Sequence, residues 1–223
     1  MRGRLSSGDA GMDSVLGSGF VPGSVTAVFG PPGIGKTSLL TKIAFSMTRK
    51  TNGVVIWVTG DESKSAFRSR IGRVYDCHDI PENIEVLPGI VFLENDPTFL
   101  ASSRSIKLIV VDSLPTGHSQ ALTAITSSSH IAHKSGRISV VVIGHMTRDG
   151  HLAGRPEARH LVDTLLVMEH VRAKPDGSWE KTKSATGWIR LECDSKSRHG
   201  DAWESAIYRM TEKGPVGISE MNR

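Results

Sequence analysis

The chain has 223 residues, 38% hydrophobic and 22% charged, which suits one globular domain with a sizeable core. A net charge of +4 permits an anionic partner without requiring one. No run approaches the ~20 apolar residues of a membrane span, residues 1–7 lack the apolar centre of a secretory signal, and Cys77 and Cys193 stand in no metal-ligand spacing. The two cysteines read as reduced thiols of a cytoplasmic protein.

In chain order, Met12, Val15 and Leu16 predict a short helical turn, followed by a glycine-rich corner. Residues 25–29 form an apolar strand. Gly30-Pro31-Pro32-Gly33-Ile34-Gly35-Lys36-Thr37 then matches the phosphate-loop pattern G-x-x-x-x-G-K-[ST] at every fixed position. A helix follows, with Leu39, Leu40, Ile43, Ala44 and Met47 on one face. The motif therefore lies in a strand–loop–helix unit, where loop amides and a helix N-terminus can surround a polyphosphate. Residues 30–38, Ser38 included, are the candidate nucleotide-binding set. Lys36 is placed for the β- and γ-phosphates of ATP, and the Thr37 hydroxyl for Mg²⁺.

Residues 54–59 predict a buried second strand, ending at Asp61 and Glu62. A carboxylate there can activate the water that attacks a γ-phosphate. It can equally stabilise the next helix through its dipole. Phe67, Ile71 and Val74 mark the buried face of that helix, and Arg68, Arg70 and Arg73 read as solvated-face charges. Residues 84–87 predict a third strand, 90–93 a short extra one, and Asp96-Pro97 a helix start. Residues 106–112 form a β-branched strand ending in Asp112, a Walker B arrangement that places Asp112 on Mg²⁺. Leu122, Ile125, Ile131 and Ala132 predict a helix through a serine run that disfavours it. His130 and His133 lack a third ligand nearby, which argues against a metal pair. Residues 138–145 form a further buried strand ending at His145. Residues 161–169 form another, followed by a hairpin rich in Arg172, Lys174, Lys181 and Lys183. Trp179 on that hairpin can stack on a base or meet a neighbouring subunit. Strands at 188–193 and about 206–214 close the chain.

Residues 12–24 follow the Leu-Asp-x-Val-Leu-Gly-Gly-Gly-hydrophobic-Val-Pro-Gly-Ser opening of the RecA-like ATPase core of the RadA/Sms family. The resemblance continues through Gly60-Asp61-Glu62-Ser63, residues 110–116, 144–156, 161–169 and 196–200 to about residue 214. It implies an α/β fold, a RecA-like core with a mainly parallel sheet and an antiparallel carboxy-terminal extension, as one domain over residues 1–223. It implies Mg²⁺-dependent ATP hydrolysis with Glu62 as the catalytic glutamate and His145 as γ-phosphate sensor. Lys196 and Arg198 match the family's Lys-Asn-Arg-Phe-Gly segment, which reaches a neighbour's γ-phosphate in trans, although Ser197 and His199 depart from it. Arg148, Arg155 and Arg159 lie in the segment that faces DNA. The implied partners are other copies of the chain, in a hexameric ring, and single-stranded DNA, with no membrane. The sequence carries neither the zinc module nor the Lon-like domain of full RadA, which leads to the expectation of a stand-alone core. The alternative is a KaiC-like, ATP-switched assembly protein without DNA activity.

Overall fold

The computed structural model describes residues 3–60, 62–75, 79–89, 105–115, 117–145, 160–198 and 204–221. Its helices are α1 (Ala10–Val15), α2 (Lys36–Thr51), α3 (Lys64–Tyr75), α4 (His118–Ser135) and α5 (Ile218–Met221). Its strands are β1 (Val25–Gly30), β2 (Val54–Thr59), β3 (Ile84–Pro88), β4 (Ile106–Asp112), β5 (Ser139–His145), β6 (Thr164–Ala173), β7 (Trp179–Lys181), β8 (Trp188–Ser197), β9 (Ser205–Thr211) and β10 (Gly214–Gly217). Residues 90–104 lie outside the described residues, and with them the expected strand at 90–93 and the helix start at Asp96-Pro97.

The strands form one sheet in the order β10-β9-β8-β6-β1-β5-β4-β2-β3, with β7 paired to β6. From β6 to β3 every pairing is parallel; β7, β8, β9 and β10 join antiparallel. The expected α/β architecture is therefore observed, including the antiparallel extension.

The parallel strands β1, β2, β4 and β5 are buried on both faces, which is why they read as continuous β-branched runs, whereas edge strand β3 is only partly buried. Side chains alternate between two cores with the period of a strand. Val28, Leu108, Val110, Val141 and Ile143 join Leu39, Leu40, Ile43, Phe67 and Ile71 on the α2–α3 side. Ala27, Phe29, Ile109, Val111, Val140 and Val142 join Ala124, Ile125, Ile131 and Ala132 of α4 on the other. Burial of these α4 residues overrides the poor helix propensity of the serine run. Ser128 is itself buried, its hydroxyl donating to the Ala124 carbonyl at 2.8 Å.

The short α1 packs against the antiparallel half, where Met12 meets the core containing Ile189, Leu191 and Tyr208. Asp9 caps it. Its Oδ1 accepts from the Met12 amide at 2.8 Å and from the Tyr208 hydroxyl at 2.6 Å. A six-residue helix too short to persist alone is thus fixed by a cap and by a strand far along the chain. Among the described residues, no helix is long and apolar enough to cross a membrane.

Candidate nucleotide site

Strand register brings the sequence motifs together. Gly30 at the end of β1 lies opposite His145 at the end of β5, and Thr59 at the end of β2 lies opposite Asp112 at the end of β4. All four therefore meet beyond the carboxyl ends of parallel strands, where α/β sheets hold ligands.

The phosphate loop runs from β1 into α2. Gly33 and Gly35 have positive φ, 76° and 102°. A Cβ on Gly35 would stand 2.6 Å from Met210 Cε and 2.8 Å from Pro215 Cγ, so the β9–β10 turn packs directly on the loop. Gly35 caps α2 without a side-chain bond, which leaves the first amides of the helix to an anion. Lys36 is 5% exposed, and its Nζ donates to the carbonyls of Gly30 at 2.8 Å and Pro31 at 2.9 Å. Burial lowers its pKa to about 8, against the opposing pull of the Asp112 carboxylate.

The Thr37 hydroxyl donates to Asp112 Oδ1 at 3.1 Å. Burial pushes the Asp112 carboxyl up to about 6, and the Arg70 guanidinium is the largest opposing influence. Among the described residues no cluster of three or more His, Cys, Asp or Glu forms. One hydroxyl and one carboxylate beside a phosphate loop nevertheless fit Mg²⁺. That ion takes hard oxygen donors and is commonly shared between one or two carboxylates and bound phosphates.

Glu62 follows β2. Its amide donates to Thr59 Oγ1 at 2.9 Å, and the Thr59 hydroxyl donates back to the Glu62 carbonyl at 2.8 Å. This local turn holds the residue at the strand end. Its Oε1 pairs with Arg70 Nη2. His145 Nε2 lies 3.3 Å from Ser113 Oγ, while its Nδ1 is buried without a hydrogen-bond partner among the described residues. Burial, and then the charge of Lys36, lower its pKa, so the ring is neutral at pH 7.

Two clefts adjoin here. One of about 360 Å³ includes Gly33, Lys36, Thr37, His145 and the β9–β10 turn; the other, of about 490 Å³, includes Glu62, Asp112 and Ser113. Arg70 lines both. The expectation that Arg70 is a solvated-face charge is corrected: its side chain is 13% exposed and lies within the site. Arg73 lines the phosphate-loop cleft beside it, with Nη2 3.4 Å from Ser38 Oγ.

Arg198 lies elsewhere. Ser197 on β8 pairs with Thr164 on β6, which pairs with Thr26 near the start of β1. From Thr26 to Gly30 is four steps of ~3.3 Å, so Arg198 sits roughly 13 Å along the sheet from its own phosphate loop, at the opposite edge. Its guanidinium donates to Asp163 Oδ1 at 3.1 Å and to the His160 carbonyl at 2.8 Å. Buried Asp163 also accepts from the Val25 amide at 2.8 Å and faces His133 Nε2 at 3.2 Å. His133 is thereby engaged by a carboxylate.

Lys196 is on β8, but its side chain lies outside the described residues, as do Arg148, Arg155 and Arg159, and Cys77. Several cations of the basic hairpin are paired within the chain. Arg172 and Lys174 pair with Glu180, Lys181 with Glu169, and Arg190 with Glu169 and Glu192. Trp179 packs on Trp188 at 5.1 Å between ring centroids, with the Arg209 guanidinium 4.7 Å from the Trp188 ring.

Fold and site together define a RecA-like P-loop NTPase core. The solved structure of the RadB recombinase superposes with a TM-score of 0.67 at 19% identity, covering 96% of this chain and 99% of that one. A KaiC-like protein from Pyrococcus horikoshii superposes with a TM-score of 0.73 at 15% identity, covering 97% and 99%. The chain belongs to the AAA domain family, whose model matches residues 12–151. It is similar to the DNA repair protein RadA of Campylobacter jejuni, 32% identical over 98% of this chain and 47% of that protein. The RadA of Mycobacterium tuberculosis is 30% identical over 93% of this chain and 42% of that protein. The chain thus spans about half the length of the curated relatives it matches, and the RadA/Sms resemblance extends over nearly all of it.

Proposed function

We propose that the chain is a Mg²⁺-dependent ATPase that acts on single-stranded DNA in recombination, repair or replication. In this reading it is a cytoplasmic homo-oligomer, a hexameric ring, of one ATPase domain per chain. The observation that carries it is the convergence of Lys36, Thr37, Glu62, Asp112 and His145 at the carboxyl edge of the parallel sheet. The names of the RadA relatives support the DNA side of the reading.

Lys36 exchanges its loop carbonyls for phosphate oxygens, a trade of neutral acceptors for charged ones. Thr37 and Asp112 are the residues that would hold Mg²⁺, which would supply neutralisation of phosphate charge. Glu62 accepts a proton from the attacking water, and neutral His145 reports the γ-phosphate. Lys196 and Arg198 act on a neighbour's site. Support for trans rather than cis action is the location of Arg198 at the far edge of the sheet. Engagement there requires the Arg198–Asp163 pair to open.

The test is steady-state ATP hydrolysis with and without single-stranded DNA, across protein concentration and two salt levels. DNA stimulation that weakens with salt, and a cooperative dependence on protein, is the expected result. A slow rate indifferent to DNA would favour the second reading, an ATP-switched assembly protein. The internal pairing of the hairpin cations is the observation that favours it.

A further inference from the structure

We propose that Arg70 is a γ-phosphate ligand that positions Glu62, and so lets the site distinguish a nucleoside triphosphate from a diphosphate. The proposal rests on the ATPase reading above.

Arg70 lies on α3, three residues after core-facing Phe67 and four before core-facing Val74. Its stem is held on the flank of the core, with the guanidinium carbon 5.7 Å from the Phe67 ring centroid. A guanidinium this buried is costly unless its donors are used. Nη2 is used, on Glu62 Oε1. Nη1 is not: Asp112 Oδ2 stands 3.8 Å from it, beyond hydrogen-bond reach. Arg70 Nη1 and Glu62 Oε2 are both buried without a hydrogen-bond partner among the described residues.

These two atoms have complementary uses. Nη1 is a charged donor beside the Thr37–Asp112 pair, in a side chain that lines the phosphate-loop cleft. Its fitting partner is an anionic oxygen beyond the β-phosphate. Glu62 Oε2 is an acceptor in the adjoining cleft, suited to a water. Arg70 joins them: one end of the guanidinium meets the γ-phosphate, while the other fixes the carboxylate that faces the attacking water. The planar fork of an arginine can do both at once, whereas a lysine ammonium cannot hold the same geometry. A diphosphate offers Nη1 nothing, so Arg70 contributes little to its binding.

Fluorescent ADP and a fluorescent β,γ-imido analogue of ATP serve as probes, in Mg²⁺, with wild-type, Arg70→Gln, Arg70→Lys and Lys36→Ala proteins. Circular dichroism checks folding, and Arg70→Lys keeps the test informative if Arg70→Gln fails to fold. We expect Arg70→Gln to weaken the triphosphate analogue at least tenfold while ADP affinity changes less than twofold. Arg70→Lys should recover part of the binding but not the hydrolysis rate, and Lys36→Ala should lose both nucleotides. An unchanged ratio of the two affinities in folded Arg70 variants overturns the proposal, as does faster hydrolysis, which would make the guanidinium a brake on Glu62. If the wild-type protein binds neither probe, the ATPase reading itself falls and takes this one with it.

Discussion

Asp112→Asn should make the nucleotide-free protein more stable while removing its activity. Asp112 has an 11% exposed side chain, and burial raises its pKa from 3.8 to about 6. The folded state therefore holds the proton more tightly than the unfolded state. The stabilising contribution is full below about pH 4 and is lost as pH rises through about 6. A shift of ~2 pK units corresponds to ~3 kcal/mol of penalty above pH 7. Asparagine keeps an acceptor for the Thr37 hydroxyl but carries no charge to desolvate. In a domain of this size the gain amounts to roughly 6–10 °C in Tm at pH 7.5, closing towards zero near pH 4. Thermal unfolding of both proteins in EDTA, from pH 4 to 8, measures it. Adding Mg²⁺ and a non-hydrolysable ATP analogue should reverse the order, because only the wild-type protein gains the linked stabilisation of metal binding. A Tm difference that does not vary with pH, or one that favours wild type throughout, would refute the reasoning.

Three further outcomes follow from packing. Tyr208→Phe removes the hydroxyl that donates to buried Asp9 Oδ1 and should cost about 1–3 kcal/mol in urea unfolding, loosening α1 without moving the phosphate loop. Asp163→Ala strips the Val25 amide, His133 and Arg198 of a shared buried acceptor; a loss of about 3–5 kcal/mol is expected, measured in the same way. Gly35→Ala forces a left-handed φ and a Cβ against Pro215, and should both destabilise by about 1–3 kcal/mol and weaken nucleotide binding in a fluorescence titration.

The parts of the site legible in the sequence are those whose chemistry is local. The phosphate loop needs glycines, a lysine and a threonine at fixed spacing, and Asp112 needs only to end a buried strand. On its residues alone, Glu62 is open between catalysis and stabilising the next helix through its dipole. Arg70 was missed because its role depends on the rotation of α3 about a core contact, and a charged residue on an amphipathic helix is ordinarily solvated. Asp163 was missed for another reason. Val25, His133 and Arg198 are remote in sequence, and only the strand register and α4 bring them to one carboxylate. The hairpin reads as basic from Arg172, Lys174, Lys181 and Lys183, and what the sequence does not show is that the fold sets Glu180 and Glu169 against three of these cations.

The most direct test of the central claim is ATP turnover by the purified protein, with Mg²⁺ or with EDTA, beside Glu62→Gln. We expect Mg²⁺-dependent turnover by wild type, and a Glu62→Gln protein that still binds the fluorescent ATP analogue but hydrolyses ATP at least a hundredfold more slowly. Turnover that persists in EDTA, or a Glu62→Gln protein with wild-type rate, would contradict the assignment of this carboxyl-edge cluster as the catalytic site.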